Sequence, residues 1–128
     1  MRTILVAVGL CVSITTAVEA ADSSARRARR TQPMRVTATA YCHDGRTQSG
    51  VRTHTGIVSA DPRVLPTGSV VRILDGSEAG TYTVMDTGSA IKGRRIDVYV
   101  PNCARAKRFG RRTLHVQVVR LKPDPTGR

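Results

Sequence analysis

The stretch Val84-Met85-Asp86-Thr87-Gly88-Ser89-Ala90-Ile91-Lys92-Gly93-Arg94-Arg95-Ile96-Asp97-Val98-Tyr99 decides how this chain folds. Two apolar residues lead into an acid. A glycine-rich turn carrying one lysine follows, and an alternating segment then opens with a second acid near its start. Successive side chains of a strand point to opposite faces, so Arg95, Asp97 and Tyr99 share one face while Ile96, Val98 and Val100 share the other. Asp97 therefore sits on a strand, which holds a carboxylate more firmly than a loop does. Asp86 ends the preceding strand, and Gly88 and Gly93 let the backbone turn back between the two. The pattern brings both acids to the same end of a sheet, an arrangement suited to a carbohydrate site or to an acid-protease site.

On the N-terminal side, Met34 to Tyr41 alternates. Val36, Ala38 and Ala40 fall on one face and Thr37, Thr39 and Tyr41 on the other, giving a strand with a hydroxyl-bearing side. Residues 42–56 are rich in Gly, Thr, Ser, His and Arg and read as a loop. Long ordered loops tend to carry function. His43 and His54 are acid–base candidates there, although surface histidines in loops are common. Ile57–Ala60 is a short strand, and Asp61 to Gly68, with two prolines, is a turn that the Asp61 side chain is expected to cap. Ser69–Leu74 alternates, Asp75-Gly76-Ser77 signals a hairpin, and Gly80–Met85 is the strand that delivers Asp86. Past the central stretch, Pro101 to Gly110 has the start and stop signals of a short helix, and Arg112–Leu121 is a last alternating strand. The chain is thus mainly β: six short strands and one small helix, for which closure into a barrel hides every strand edge.

The chain has 128 residues, enough for one domain with one core. Its formal net charge of +12 favours a polyanionic partner, such as an anionic cell-wall surface met by the basic residues. With no Trp, one Phe and three Tyr, it lacks the stacking platforms of single-stranded nucleic-acid binders, and no nucleic acid is expected. Residues 1–20 read as a secretory leader: Arg2, an apolar run from Ile4 to Val12, and small residues around Val18-Glu19-Ala20. The apolar run is short for a membrane span, so a secreted or periplasmic protein without a stable membrane anchor is expected. Residues 21–33 read as a basic flexible linker carrying Arg26, Arg27, Arg29 and Arg30, residues 34–121 as the barrel domain, and residues 122–128 as a frayed tail. Cys42 and Cys103 can pair in an oxidising compartment; the alternative is two separate buried thiols. No Cys-x-x-Cys pair or His/Cys cluster points to a metal, and no cofactor is expected.

Several blocks carry a resemblance. Thr39-Ala40-Tyr41-Cys42, Thr55-Gly56, Ala60-Asp61-Pro62-Arg63-Val64-Leu65-Pro66-Thr67-Gly68, the Asp86-to-Gly93 block and Ile96-Asp97-Val98-Tyr99 resemble the 3D domain family, named for three aspartates that correspond here to Asp61, Asp86 and Asp97. Its relatives include the catalytic domain of membrane-bound lytic transglycosylases and the stationary-phase survival muralytic enzymes. The resemblance implies a double-psi β-barrel acting on the glycan strands of peptidoglycan. It implies cleavage of the β-1,4 bond between N-acetylmuramic acid and N-acetylglucosamine, with a 1,6-anhydro ring formed in place of water addition. Asp97 is then the single acid/base, and Asp86 the neighbouring carboxylate that helps raise its pKa. Thr39 and Tyr41 belong to the same hydrogen-bonded cluster, Lys92 holds substrate or balances charge, and Asp61 lies at the rim of the substrate-binding site in a turn-holding role. The domain is minimal, with no second substrate-gripping domain in view, which implies activity that is weak or partner-dependent.

Two alternatives compete. Val84 to Ala90 also fits the aspartic-protease signature, which in a chain this short requires a dimer pairing two copies of Asp86 and leaves Asp97, Lys92 and the Asp61 turn unexplained. A non-catalytic wall-binding module of the expansin and barwin kind shares the barrel and accounts for the charge.

Overall fold

The computed structural model describes residues 15–123. Six strands close into a barrel: β1 (Met34–Tyr41), β2 (Ile57–Ala60), β3 (Val70–Ile73), β4 (Gly80–Asp86), β5 (Arg95–Tyr99) and β6 (Arg112–Arg120). The order around the barrel is β1-β5-β2-β4-β3-β6, with β6 returning to β1. Two neighbouring pairs, β1 with β5 and β2 with β4, run parallel, and the other four pairs are antiparallel. Parallel neighbours cannot be joined by hairpins, and other strands intervene in the chain between them: β3 between β2 and β4, and β2, β3 and β4 between β1 and β5.

The alternation in the sequence becomes the division between core and surface. Val36 and Ala38 of β1, Ile96 and Val98 of β5, and Leu114, Val116 and Val118 of β6 are buried, while Arg35, Thr113 and His115 between them are exposed. Val58, Ala60, Val71, Ile73, Tyr82 and Val84 complete the apolar interior. The short helix α2 (Cys103–Phe109) packs on β1 and adds Ala106 and Phe109 to that core. Asn102 supplies its N-cap, accepting a hydrogen bond from the Arg105 amide at 3.0 Å, and Gly110 ends it with φ of 61°. Pro101 therefore stands before the cap, not in the first turn.

One element departs from expectation. Thr15–Thr31 forms helix α1, spanning the end of the expected leader and most of the expected linker, so the described residues contain two helices. The segment is mostly small and polar, but its Ala and Arg content carries high intrinsic helix propensity, and an Asp22–Arg26 pair at 3.1 Å bridges one turn. The helix lies alongside β6, with residues 18–28 exposed. Residues 1–14 of the expected leader and 124–128 of the expected tail lie outside the described residues. No described helix is long and apolar enough to cross a membrane.

Candidate functional site

Strand register places the polar residues in a row. Thr39 on β1 is opposite Asp97 on β5, and Asp97 is in turn opposite Ser59 on β2. A register shift between Val58 and Ser59 then sets Asp86, instead of Met85, opposite Ser59 on β4. Bulges re-aim side chains in this way beside functional sites. The two acids stand on either side of one serine, two strand spacings or about 10 Å apart at the backbone. Two residues along, Tyr41 is opposite Tyr99, and their rings meet edge to face at 5.4 Å between centroids.

Asp97 is half-buried, and its Oδ1 accepts a hydrogen bond from the Thr39 hydroxyl at 2.9 Å. Oδ2 accepts none among the described residues. Burial pushes the Asp97 carboxyl above the ordinary carboxylate range, against smaller opposing pulls from the Thr39 hydrogen bond and the Arg95 charge. Arg95 spends one guanidinium nitrogen on the Ala90 carbonyl at 2.8 Å and forms no ion pair with Asp97. Contrary to expectation, desolvation and not the Asp86 charge raises the Asp97 carboxyl. A serine and a full strand spacing on each side separate the two carboxylates.

Asp86 instead anchors a loop. Its Oδ1 accepts the Gln48 amide at 2.9 Å and the Thr87 amide at 2.8 Å, and the Thr87 hydroxyl donates to the Gln48 side-chain carbonyl. Both acids reach Tyr41, whose phenol is raised first by burial and then by the charges of Asp86, Asp97 and Tyr99. The Tyr41 hydroxyl is buried with no hydrogen-bond partner among the described residues. Ser59 pulls its pKa down without closing a bond of good geometry. Tyr99 donates to the Asp44 carboxylate and is raised chiefly by that bond, which holds the proton on the phenol.

Asp61 behaves as a turn lock. Oδ1 accepts from the Arg63 amide at 3.0 Å and Arg63 Nε at 3.1 Å, while Oδ2 accepts from Arg63 Nη2 and the Gly93 amide, both at 2.8 Å. These donors hold its carboxyl well below the usual carboxylate range, led by the Arg63 side chain. The buried carboxylate thus ties the 61–65 turn to the end of the 87–94 loop. Lys92 is exposed on that loop and makes no hydrogen bond or ion pair with either site acid among the described residues. His43 and His54 are also exposed, and His54 Nδ1 lies 2.8 Å from the Thr55 carbonyl, turned to its own loop. Among the described residues no group of three or more His, Cys, Asp or Glu side chains could hold a metal ion. A disulfide joins Cys42, just beyond β1, to Cys103 at the start of α2.

The sequence pattern of the 3D domain matches residues 56–122, more than half of the chain. This chain belongs to the 3D domain family. Asp61, Asp86 and Asp97 all fall within the matched span. Curated relatives from Bacillus subtilis (strain 168) include the cell wall-binding protein YocH, 38% identical over 84% of this chain and 39% of its own length. The putative cell wall shaping protein YabE is 35% identical over 67% of this chain and 23% of its own. The chain thus spans well under half of either relative. In fold, the 3D domain is similar to a variant of the E. coli lytic transglycosylase MltA in an apo form, with a TM-score of 0.50 and 20% identity, covering 63% of this chain and 29% of that one. Membership of the 3D domain family favours the wall-directed readings over the aspartic-protease alternative.

Four residues of the constellation are not singled out by sequence reasoning: Ser59, Tyr99, Asp44 and Gln48. Tyr99 carries a signal, since it lies two residues from Asp97 on the same strand face. Ser59, Asp44 and Gln48 carry none, because their places follow from which strands pair and where the 42–56 loop lands.

Proposed function

We propose that this 3D domain is a peptidoglycan lytic transglycosylase of the cell wall, with Asp97 as its single acid/base. The observation that carries the reading is the state of Asp97: a half-buried carboxyl pushed upward by desolvation, steadied on one oxygen by Thr39 and open on the other. A carboxylic acid still protonated above its ordinary range is what protonating a glycosidic oxygen requires. In this reading the Asp97 proton passes to the leaving N-acetylglucosamine oxygen as the C1–O bond breaks. The Asp97 carboxylate so formed then takes the proton of the muramyl C6 hydroxyl, whose oxygen closes on C1 as the 1,6-anhydro ring. The acid is regenerated and no water is consumed. Asp86, one serine away, supplies negative charge near the cationic sugar that develops between these steps. The Tyr41 hydroxyl, without a partner among the described residues, is available to a substrate oxygen, and the exposed Lys92 can meet an anionic group on the glycan. Asp61 supports the site by holding two of its loops together.

A wall-binding role without catalysis is the second reading, favoured by the names of the B. subtilis relatives, one of them a cell wall-binding protein. Incubation of purified sacculi with the protein, followed by mass spectrometry, separates the two. Anhydro-muropeptides from wild type and none from Asp97→Asn support the transglycosylase. Reducing-end products mean hydrolysis, and an intact sacculus that retains the protein means binding alone. The basic surface is expected to strengthen wall association in either case, with a salt-sensitive share. In either reading the protein acts outside the cytoplasm, at the wall.

A further inference from the structure

A cavity of about 570 Å³ opens beside the acid row without being part of it. The two share a wall. Met85 lines the cavity and immediately precedes Asp86, and Ser49 lines it next to Gln48, whose amide is bonded to Asp86. The far side is the end of β6 and the residues after it, with Arg120 and Lys122. Neither cation forms an ion pair among the described residues, and both are exposed. The floor is apolar at Met85 and Leu121 and hydroxyl-bearing at Thr67 and Thr83.

The placement of Lys122 is built into the backbone. Its amide donates to the buried Ser69 hydroxyl at 3.0 Å, and its side chain lies across Gly68, with Cδ 2.6 Å and Nζ 3.3 Å from where a Cβ would stand. Gly68 has φ of +90°, and its amide is bonded to the Val84 carbonyl at 2.6 Å. A Cβ at position 68 would push the flexible lysine stem aside and would itself be strained at this φ.

We propose that this cleft binds the carboxylate-bearing peptide stem of the glycan whose sugar backbone lies along the acid row. The inference rests on the transglycosylase or wall-binding reading for the identity of that glycan, and it adds the peptide as the second recognised feature. Two unpaired cations suit free carboxylates, hydroxyls suit peptide N–H and C=O groups, and the apolar floor suits small aliphatic side chains. The volume lies within the range of small-ligand sites. A polyphosphate polymer fits less well, because Met85, Leu121 and Pro123 have nothing to offer a phosphate chain.

Isothermal titration of the full chain tests this with four probes: a short stem-type acidic peptide, the same peptide with its carboxylates amidated, a stem-free glycan oligomer, and a polyglycerol phosphate oligomer. The acidic peptide is expected to bind about tenfold tighter than its amidated form, with the preference shrinking as salt is added. Arg120→Gln combined with Lys122→Gln is expected to remove that preference and leave glycan binding unchanged. Gly68→Ala, which displaces the lysine while keeping both charges, is expected to reduce it severalfold. Equal affinity for the two peptides, a preference that survives the double variant, or tighter binding of polyglycerol phosphate overturns the proposal. If the peptide preference is present but no sugar bond is cut, the cleavage mechanism falls and the cleft assignment stands.

Discussion

The Cys42–Cys103 disulfide encloses β2, β3, β4 and β5 in one covalent loop with a sequence separation of 61. In the chain-entropy treatment a closed loop of that length destabilises the unfolded state by about 4 kcal/mol at 25 °C. Cys103 is exposed and Cys42 only half-buried against the core, so replacing both by serine leaves little cavity and exposes little apolar surface. The effect should therefore reside in the unfolded chain. Cys42→Ser with Cys103→Ser is expected to lower the urea-unfolding free energy by about 4 kcal/mol and the melting temperature by about 20 °C for a domain of this size. The m-value should rise, because the released chain expands further when it unfolds. Wild type treated with reductant should reproduce both changes. A loss under about 1 kcal/mol with an unchanged m-value would refute the reasoning, since it would mean that the bridge constrains nothing in the unfolded ensemble.

Three further outcomes follow from the site. Burial raises the folded-state pKa of Asp97 above its unfolded value, so the folded form holds the extra proton, and this group's contribution to stability declines as pH rises from about 4 through the folded pKa. Asp97→Asn should therefore be more stable than wild type at neutral pH, with the gain vanishing near pH 4 in paired urea titrations; a gain that grows toward acid contradicts the assignment. Thr39→Val removes the hydrogen bond that lowers the Asp97 pKa, so the carboxyl carbon resonance of Asp97 should titrate at higher pH in the variant, and an unchanged midpoint counts against the contact. Asp61 has the opposite sign: its folded pKa is depressed, so its stabilisation is complete above the unfolded value near 4 and is lost as pH falls below it. Asp61→Asn should be less stable than wild type at pH 7 and should flatten the acid limb of the stability profile, and equal acid limbs would show that the Arg63 and Gly93 bonds do not act through the charge.

Most of the barrel was legible because its strands are half-buried, and half-burial writes itself as alternation. Met34–Tyr41 and Ile57–Ala60 are strands with the boundaries that alternation and turn residues assign. Val70–Ile73, Gly80–Asp86 and Arg112–Arg120 differ from expectation by only a residue or two at their ends. Helix α1 was not legible, because its small and charged residues read as a solvated arm, whereas α1 is supported by intrinsic propensity and a local ion pair. The acids were legible as a pair of strand-borne carboxylates. Ser59 between them was not, nor was the Gln48 amide on Asp86, since both depend on contacts between residues far apart in the chain.

What the sequence determined alone is therefore local: which residues are strands, which face of each strand is apolar, and that Asp86 and Asp97 sit at strand positions flanking a glycine-rich turn. Those properties are set by neighbours a few bonds away. Tertiary structure alone decided that β2 lies between β4 and β5, that a one-residue slip turns Asp86 toward Ser59, and that desolvation, not the other acid, raises Asp97. Strand order and register minimise the free energy of the whole closed sheet, and a carboxyl's protonation depends on the solvent that surrounding strands exclude, so neither is written in any single segment.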